Sequence, residues 1–158
     1  MPKITPFLCF DSQAEDAAKL YVSVFPNSRI NSVSHYPNEA PGGEPSKVMT
    51  VSFEIDGQAV TALNAGPMFK LSEAFSFVID CDGQDEVDHY WNALTADGGQ
   101  ESQCGWLKDR FGLSWQVIPR QFTEMATSPD RAAAGRAFQA MMGMRKIDLA
   151  ALRTAFEG

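Results

Sequence analysis

The fifteen residues GWLKDRFGLSWQVIP, Gly105 to Pro119, hold the side chains of this sequence best suited to binding chemistry. Two tryptophans, Trp106 and Trp115, flank a Lys-Asp-x-x-Gly turn, and Gln116 stands inside an otherwise apolar run. An amide there donates and accepts hydrogen bonds without the cost of burying a charge. It suits a ligand carbonyl or hydroxyl, and it equally suits a neighbouring backbone group. Trp106, Trp115 and Phe111 offer packing first and ligand-stacking walls second. Asp109 reads as the turn residue, with Lys108 and Arg110 on a solvated hairpin.

Sets of residues able to do catalysis are sparse. Ser76 has no histidine placed to suggest a triad, and Cys104 has no evident neighbouring cation or base to activate its thiol. Cys9, Cys81 and Cys104 show no CxxC spacing and read as small buried hydrophobes of a reducing compartment. His35 and His89 stand apart, the latter on a helix as a partly exposed surface residue. Gly42-Gly43 and Gly98-Gly99 lack the strand–turn–helix setting of a loop for a nucleotide or S-adenosylmethionine. No catalytic residue is assigned from these patterns, and no cofactor is expected.

Charge and hydropathy narrow the partners. With a net charge of −7 and scattered basic residues, the chain would be repelled by a phosphate backbone. No apolar run approaches the roughly 20 residues of a membrane helix. The apolar start MPKITPFLCFD is cut off by Asp11, too soon for a signal peptide. The expectation is a cytoplasmic protein with neither nucleic-acid nor membrane partners.

The elements that must position these side chains come twice. Ile4–Phe10 reads as a strand. A helix follows, with Ala14, Ala17, Ala18, Tyr21, Val24 and Phe25 at helical spacing; Ser12 and Glu15 form its capping box and Pro26 its stop. SRINSVSHY, KVMTVSFEI and QAVTALN are three more strands, the last two joined by a type I′ turn at Asp56-Gly57. In KVMTVSFEI, Met49, Val51, Phe53 and Ile55 form the buried face. The order then repeats at an offset of about 71 residues. Ala74–Cys81 is a strand. Asp82 caps a helix carrying Val87, Tyr90, Trp91 and Leu94 on one face, and Gly98 ends it. GQESQ, CGWLK and SWQVIP are three short strands. Strand alternation puts Ser114, Gln116 and Ile118 on one face, and likewise groups Val60 with Ala62 and Asn64, and Ala74 with Ser76 and Val78.

Pro37–Ser46 reads as a mobile loop, and Asn64–Glu73 joins the halves. Beyond Pro119, Ser128-Pro129 starts one helix and Gly143 lies near its end. Asp148 caps another helix through Phe156. Ala137, Phe138, Met141, Met142, Met144, Ile147, Leu149, Leu152 and Phe156 form an apolar surface, expected to pack on the sheet or across a dimer interface. The organisation is one α+β domain over 1–158: a βαβββ module over 3–65, a second over 74–119, and a helical tail over 120–158.

Paired βαβββ modules with a D-x-x-G hairpin before the last strand resemble the vicinal oxygen chelate superfamily of glyoxalase I, bleomycin-resistance proteins and extradiol dioxygenases. Within it, the chain resembles the PhnB-like, or demethylubiquinone 3-methyltransferase-like, branch. The matching stretches are ITPFLCFDSQAEDAAKLYVSVFPNS, ALNAGPMF, AFSFVIDC, CGWLKDRFGLSWQVIP and AFQAMMGMRKIDLAALRTAF. The resemblance implies eight strands curving around a cavity, usually in a homodimer. It also implies that Pro6, Val60, Ser76 and Gln116 stand where metal-dependent members hold a divalent ion. Proline and valine cannot ligate through their side chains, and an amide is a weaker ligand than a carboxylate, so no metal is expected. Asn64, Ser76, Trp106 and Gln116 become the candidate residues for a small-molecule ligand, Asn64 alternatively capping the turn before Gly66-Pro67. The expected function is binding in that cavity; the alternative is an enzyme, either a methyltransferase or a lyase or isomerase on a small polar substrate.

Overall fold

The turn at Asp56-Gly57 sets the register of the first sheet. Both residues have positive φ, 47° and 77°, as a type I′ turn demands. The strands on either side, β3 (Val48–Ile55) and β4 (Gln58–Asn64), consequently pair Ile55 with Gln58, Phe53 with Val60 and Val51 with Ala62. The computed structural model describes residues 2–37 and 47–158. Apart from Pro37, the loop expected over Pro37–Ser46 lies outside the described residues. Two units form, Met1–Leu71 and Ser72–Gly158.

In the first unit, β1 (Phe7–Phe10), α1 (Ala14–Val24) and β2 (Arg29–His35) precede the hairpin. The sheet order is β1-β4-β3-β2, with β1 parallel to β4 and the other pairs antiparallel. One face packs on α1: Leu8, Phe10, Val51, Phe53, Ile55, Val60 and Ala62 are buried there with Ala14, Ala17, Ala18 and Tyr21. β1 begins three residues later than the sequence suggests. Ile4 is exposed, and Pro6, which has no N–H to offer, contributes its carbonyl to Thr61 N–H at 3.0 Å.

The second unit repeats the plan. β5 (Ser76–Cys81), α2 (Gln84–Thr95), β6 (Gln100–Glu101), β7 (Trp106–Lys108) and β8 (Ser114–Pro119) give the order β5-β8-β7-β6, again with its first pair parallel. Val87, Trp91 and Leu94 of α2 are buried with Leu107, Trp115 and Val117 of the sheet. The two sheets share one topology, as the repeat implied.

The helix starts differ from the expected ones. Ser12 and Glu15 form no capping box; Ala14 N–H instead donates to the Asn64 Oδ1, fifty residues away, at 2.8 Å. At α2 the cap position falls on Gly83 (φ 86°), not Asp82, and Asp82 N–H is taken by Glu86 Oε2 at 2.7 Å.

The tail holds three helices rather than two: α3 (Arg120–Ala126), α4 (Arg131–Met142) and α5 (Leu149–Glu157). The first has too few residues for a clear apolar period, which is why the sequence pattern passes over it. Asp130, not Ser128, caps α4 by accepting Ala133 N–H at 3.1 Å, and Asp148 caps α5 as expected. The apolar tail residues form their own small core of Met125, Ala137, Met141, Ile147, Leu149 and Leu152. Gln84 holds this core to the start of α2: its Nε2 donates to Ile147 O at 2.9 Å and its Oε1 accepts Leu149 N–H at 2.8 Å. Cys104 and Gly105 N–H groups donate to Met144 and Arg145 carbonyls, both at 2.8 Å. Among the described residues no helix is long and apolar enough to cross a membrane.

Candidate functional site

The second sheet has one face against α2 and one turned away from it, here called the open face. Register decides which residues occupy it: Gln116 of the central strand β8 lies between Trp106 of β7 and Val78 of β5. One step along, Ser114 lies between Lys108 and Ser76. All six side chains share the open face, since paired residues point the same way. Gln116 Nε2 donates to Ser76 Oγ at 3.0 Å, so its partner is a side chain of the next strand and not a backbone group. No described residue donates to Gln116 Oε1, and the Ser76 hydroxyl keeps its own proton to give. Trp106 is half-buried beside this pair, and Val78 is 60% exposed. Three sequence-named residues, Ser76, Trp106 and Gln116, therefore meet on one face.

Sequence reasoning passed over Ser114. It is buried, and its Oγ has no hydrogen-bond partner among the described residues. Its alternation with Gln116 placed it on this face, but nothing in the sequence marked it as unpaired. Charge lies at the margin. Lys108 pairs with Glu73 and is not simply a solvated hairpin residue; its ammonium holds the Glu73 carboxyl below the ordinary carboxylate range. At the far end Arg120 contacts Asp80 at 3.3 Å, and the Asp80 carboxylate raises the guanidinium's affinity for its proton.

The other aromatic residues of the hairpin serve the fold. Trp115 is buried, 5.3 Å from the Phe77 ring, and its indole N–H donates to Asp109. Phe111 lies under the Arg110 guanidinium at 4.8 Å. Cys81 is buried on the α2 side and burial pushes its thiol up to about 12, which keeps it neutral and unreactive at ordinary pH. His35 and His89 are exposed, the His89 ring resting 5.0 Å from Tyr90.

Asn64 belongs to the other unit and to the other kind of face. It follows Val60 and Ala62 on the α1 side of β4. Both ends of its amide are used: Oδ1 accepts Ala14 N–H, and Nδ2 donates to Val48 O at 3.1 Å. Its backbone carbonyl accepts the Tyr36 hydroxyl. It caps α1, not the Gly66-Pro67 turn. Asn64→Ala is expected to lower stability by about 2 kcal/mol, because a helix cap and a buried carbonyl partner go together. Thermal denaturation against Asn64→Asp, which keeps the cap oxygen, checks this.

The repeat corrects two metal-relative positions. In both sheets the parallel strands end together, Phe10 beside Asn64 and Cys81 beside Pro119. Counting back from those ends, the counterpart of Gln116 is Thr61, and Val60 corresponds to Trp115 on a helix side. By the same count Ser76 matches Thr5, not Pro6. By that count the positions are Thr5 and Thr61 in the first unit and Ser76 and Gln116 in the second, hydroxyls and an amide with no carboxylate, imidazole or thiolate among them. Such donors do not fit a divalent ion of the kind that metal-dependent relatives hold. Among the described residues, moreover, no group of three or more His, Cys, Asp and Glu is placed to hold a metal.

Two four-stranded sheets of identical mixed order, each with its helix, define a protein of the glyoxalase/bleomycin-resistance fold in the vicinal oxygen chelate superfamily. Residues 2–118 match the family described as 3-demethylubiquinone-9 3-methyltransferase, and the chain belongs to that family. Among solved structures it is similar to a PhnB protein of Bacillus cereus, a candidate 3-demethylubiquinone-9 3-methyltransferase. The two are 31% identical over 75% of this chain and 99% of that one, with a TM-score of 0.67. A Pseudomonas aeruginosa protein (21% identity, 75% and 98% covered, TM-score 0.61) is similar in fold. So is the fosfomycin resistance protein FosX of Listeria monocytogenes (15%, 80% and 98%, TM-score 0.56). No curated protein matches the chain. The family match ends at residue 118, so α3, α4 and α5, including the AFQAMMGMRKIDLAALRTAF stretch, lie beyond it.

Proposed function

We propose that this protein binds a small, uncharged polar molecule on the open face of its second sheet without a metal. The observation that carries this reading is the Ser76–Gln116 pair, hydrogen-bonded at 3.0 Å beside the half-buried Trp106. The pair presents an acceptor, Gln116 Oε1, and a donor, the Ser76 hydroxyl, while the indole supplies a flat apolar wall. Neutral groups of this kind discriminate by leaving a buried partner unpaired when the wrong ligand enters. The protein acts as a homodimer in the cytoplasm, with neither nucleic acid nor membrane as partner.

Native mass spectrometry of protein isolated from its own host tests the reading. A co-purifying small molecule is expected, retained by Asn64→Asp and weakened about tenfold by Gln116→Ala, the loss of roughly one good hydrogen bond. Trp106→Ala is expected to weaken it as well. Stoichiometric zinc, nickel, manganese or iron that disappears with Gln116→Ala would overturn the metal-free part.

The family's description favours one second reading, a methyltransferase. Calorimetry with S-adenosylmethionine decides it: tight binding lost on substitution of Gln116 or Ser76 supports transfer, and no heat of binding removes it.

A further inference from the structure

Among the described residues, Ser114 Oγ is the single buried side-chain polar atom without a hydrogen-bond partner. Folding strips such a hydroxyl of water and returns nothing for it, an uncommon state that calls for a partner. The second sheet shows where that partner would lie. Ser114 of β8 stands directly across from Ser76 of β5, one step along the same face from Gln116. The Ser76 hydroxyl accepts Gln116 Nε2–H at 3.0 Å and makes no bond to Ser114, so both serines keep a proton to donate. Adjacent strands lie about 4.8 Å apart. Two O–H···O bonds of about 2.8 Å, meeting at the roughly 120° between the lone pairs of one carbonyl oxygen, span that same distance.

We infer that Ser76 and Ser114 together hold one carbonyl oxygen of the ligand, and that the ligand is a planar cyclic amide with its N–H beside that carbonyl. This rests on the binding proposed above for the same face, and adds to it a third polar contact and a chemical class. With the oxygen between the serines, the neighbouring acceptor is Gln116 Oε1, on the amide whose Nε2 bonds Ser76. One acceptor beside two donors complements an edge that carries N–H next to C=O. A lactam, imide or pyridone ring fixes that edge in the cis form. Trp106, across from Gln116 and half-buried, gives the ring a flat wall. The ammonium of Lys108, also across from Ser114, is committed to Glu73 and leaves the contacts to the ligand neutral. To reach Glu73, ahead of β5, Lys108 leans across the Ser114 end of β8. The Glu73 side chain is 64% exposed, and so exposed a pair holds weakly enough to part for an entering ring.

Titration of the isotope-labelled full chain with 2-pyridone, followed by NMR, tests this. N-methyl-2-pyridone is the control that keeps the carbonyl and lacks the donor. Saturable shifts of the Gln116 side-chain amide and the Trp106 indole N–H are expected with 2-pyridone. Binding of the N-methyl form should be about tenfold weaker, the loss of one good hydrogen bond. Ser114→Ala is expected to weaken 2-pyridone by about tenfold too, yet to melt no earlier than the parent, because its hydroxyl has no partner in the protein to lose. A hydroxyl with only a structural role would give the opposite pair of results. The inference is overturned if 2-pyridone leaves both signals unmoved, if methylation costs nothing, or if Ser114→Ala keeps full affinity. The wider reading is judged separately: it survives any of those results if the molecule co-purifying from the host is still weakened by Gln116→Ala, and falls with them if it is not.

Discussion

Asp109→Ala is expected to destabilise the protein by about 4 kcal/mol, since three donors lose their acceptor at once. The Asp109 side chain is 3% exposed. Its Oδ1 accepts Phe111 N–H at 2.9 Å and Leu113 N–H at 3.1 Å, and its Oδ2 accepts the Trp115 indole N–H at 2.9 Å. The backbone closes the same turn, through Asp109 N–H to Leu113 O and Gly112 N–H to Asp109 O. Removing the carboxylate strands two amides and an indole in a buried place, at about 1–3 kcal/mol each before relaxation. Asp109→Asn makes a sharper test. It keeps the oxygen for the two amides when Nδ2 faces the indole, and there two donors then meet. A loss about half that of alanine is expected. Chemical denaturation of the three proteins measures the series; an alanine variant as stable as the parent would show that the hairpin does not depend on this side chain. The register of Gln116 against Ser76 and Trp106 depends on this hairpin, so the binding proposed for that face should fall with it.

How much of this was legible in the sequence varied with the kind of signal. The strand and helix order of both modules was plain, because period-two and helical spacing are strong in segments such as Val48–Ile55 and Gln84–Thr95. The Asp56-Gly57 turn was legible because few residue pairs accept two positive φ values. Alternation also grouped Ser114 with Gln116, and Ser76 with Val78; that the two groups share a face comes only from the β5–β8 register. Alternation could not say which face of β4 was which. The answer was present in the turn itself: pairing outward from it sets Val60 opposite Phe53, and the burial expected for Phe53 carries Val60 into the core. Thr61 then falls on the open side. The cap of α5 at Asp148 was legible, but that of α1 was not, since the oxygen that accepts Ala14 N–H belongs to Asn64, a tertiary neighbour that no local pattern names. Nor was the role of Asp109 fully visible. A turn residue explains the two amides, but the bond to Trp115 needs the folded hairpin.

Ile147→Ala is expected to cost about 3 kcal/mol, in the range for buried large-to-small changes, and to act locally. Ile147 is fully buried in the tail core, and its backbone carbonyl is the one Gln84 grips. It also backs the closest approach of the tail to β7: a Cβ on Gly105 would stand 3.2 Å from Ile147 Cγ1. Shortening this side chain opens a cavity between tail and sheet, while the Gln84 bonds to Ile147 O and Leu149 N–H stay in place. Gln84→Ala does the reverse, removing those bonds and leaving the apolar contact. Both variants should release α4 and α5 first, seen as faster amide exchange and proteolysis beyond residue 127, with the sheet unaffected. Acid should deepen the effect. Lys146 and then Gln84 donate to Asp88 and hold its carboxyl below the ordinary aspartate range. A depressed value means that this contribution is present above the unfolded-state pKa and fades as pH falls through the folded one. Tail release in Ile147→Ala should therefore grow as the solution is taken below the ordinary aspartate range, and Lys146→Met should abolish most of that pH dependence. Uniform exchange across α2, β8 and α5 in Ile147→Ala would instead show that tail and sheet unfold together.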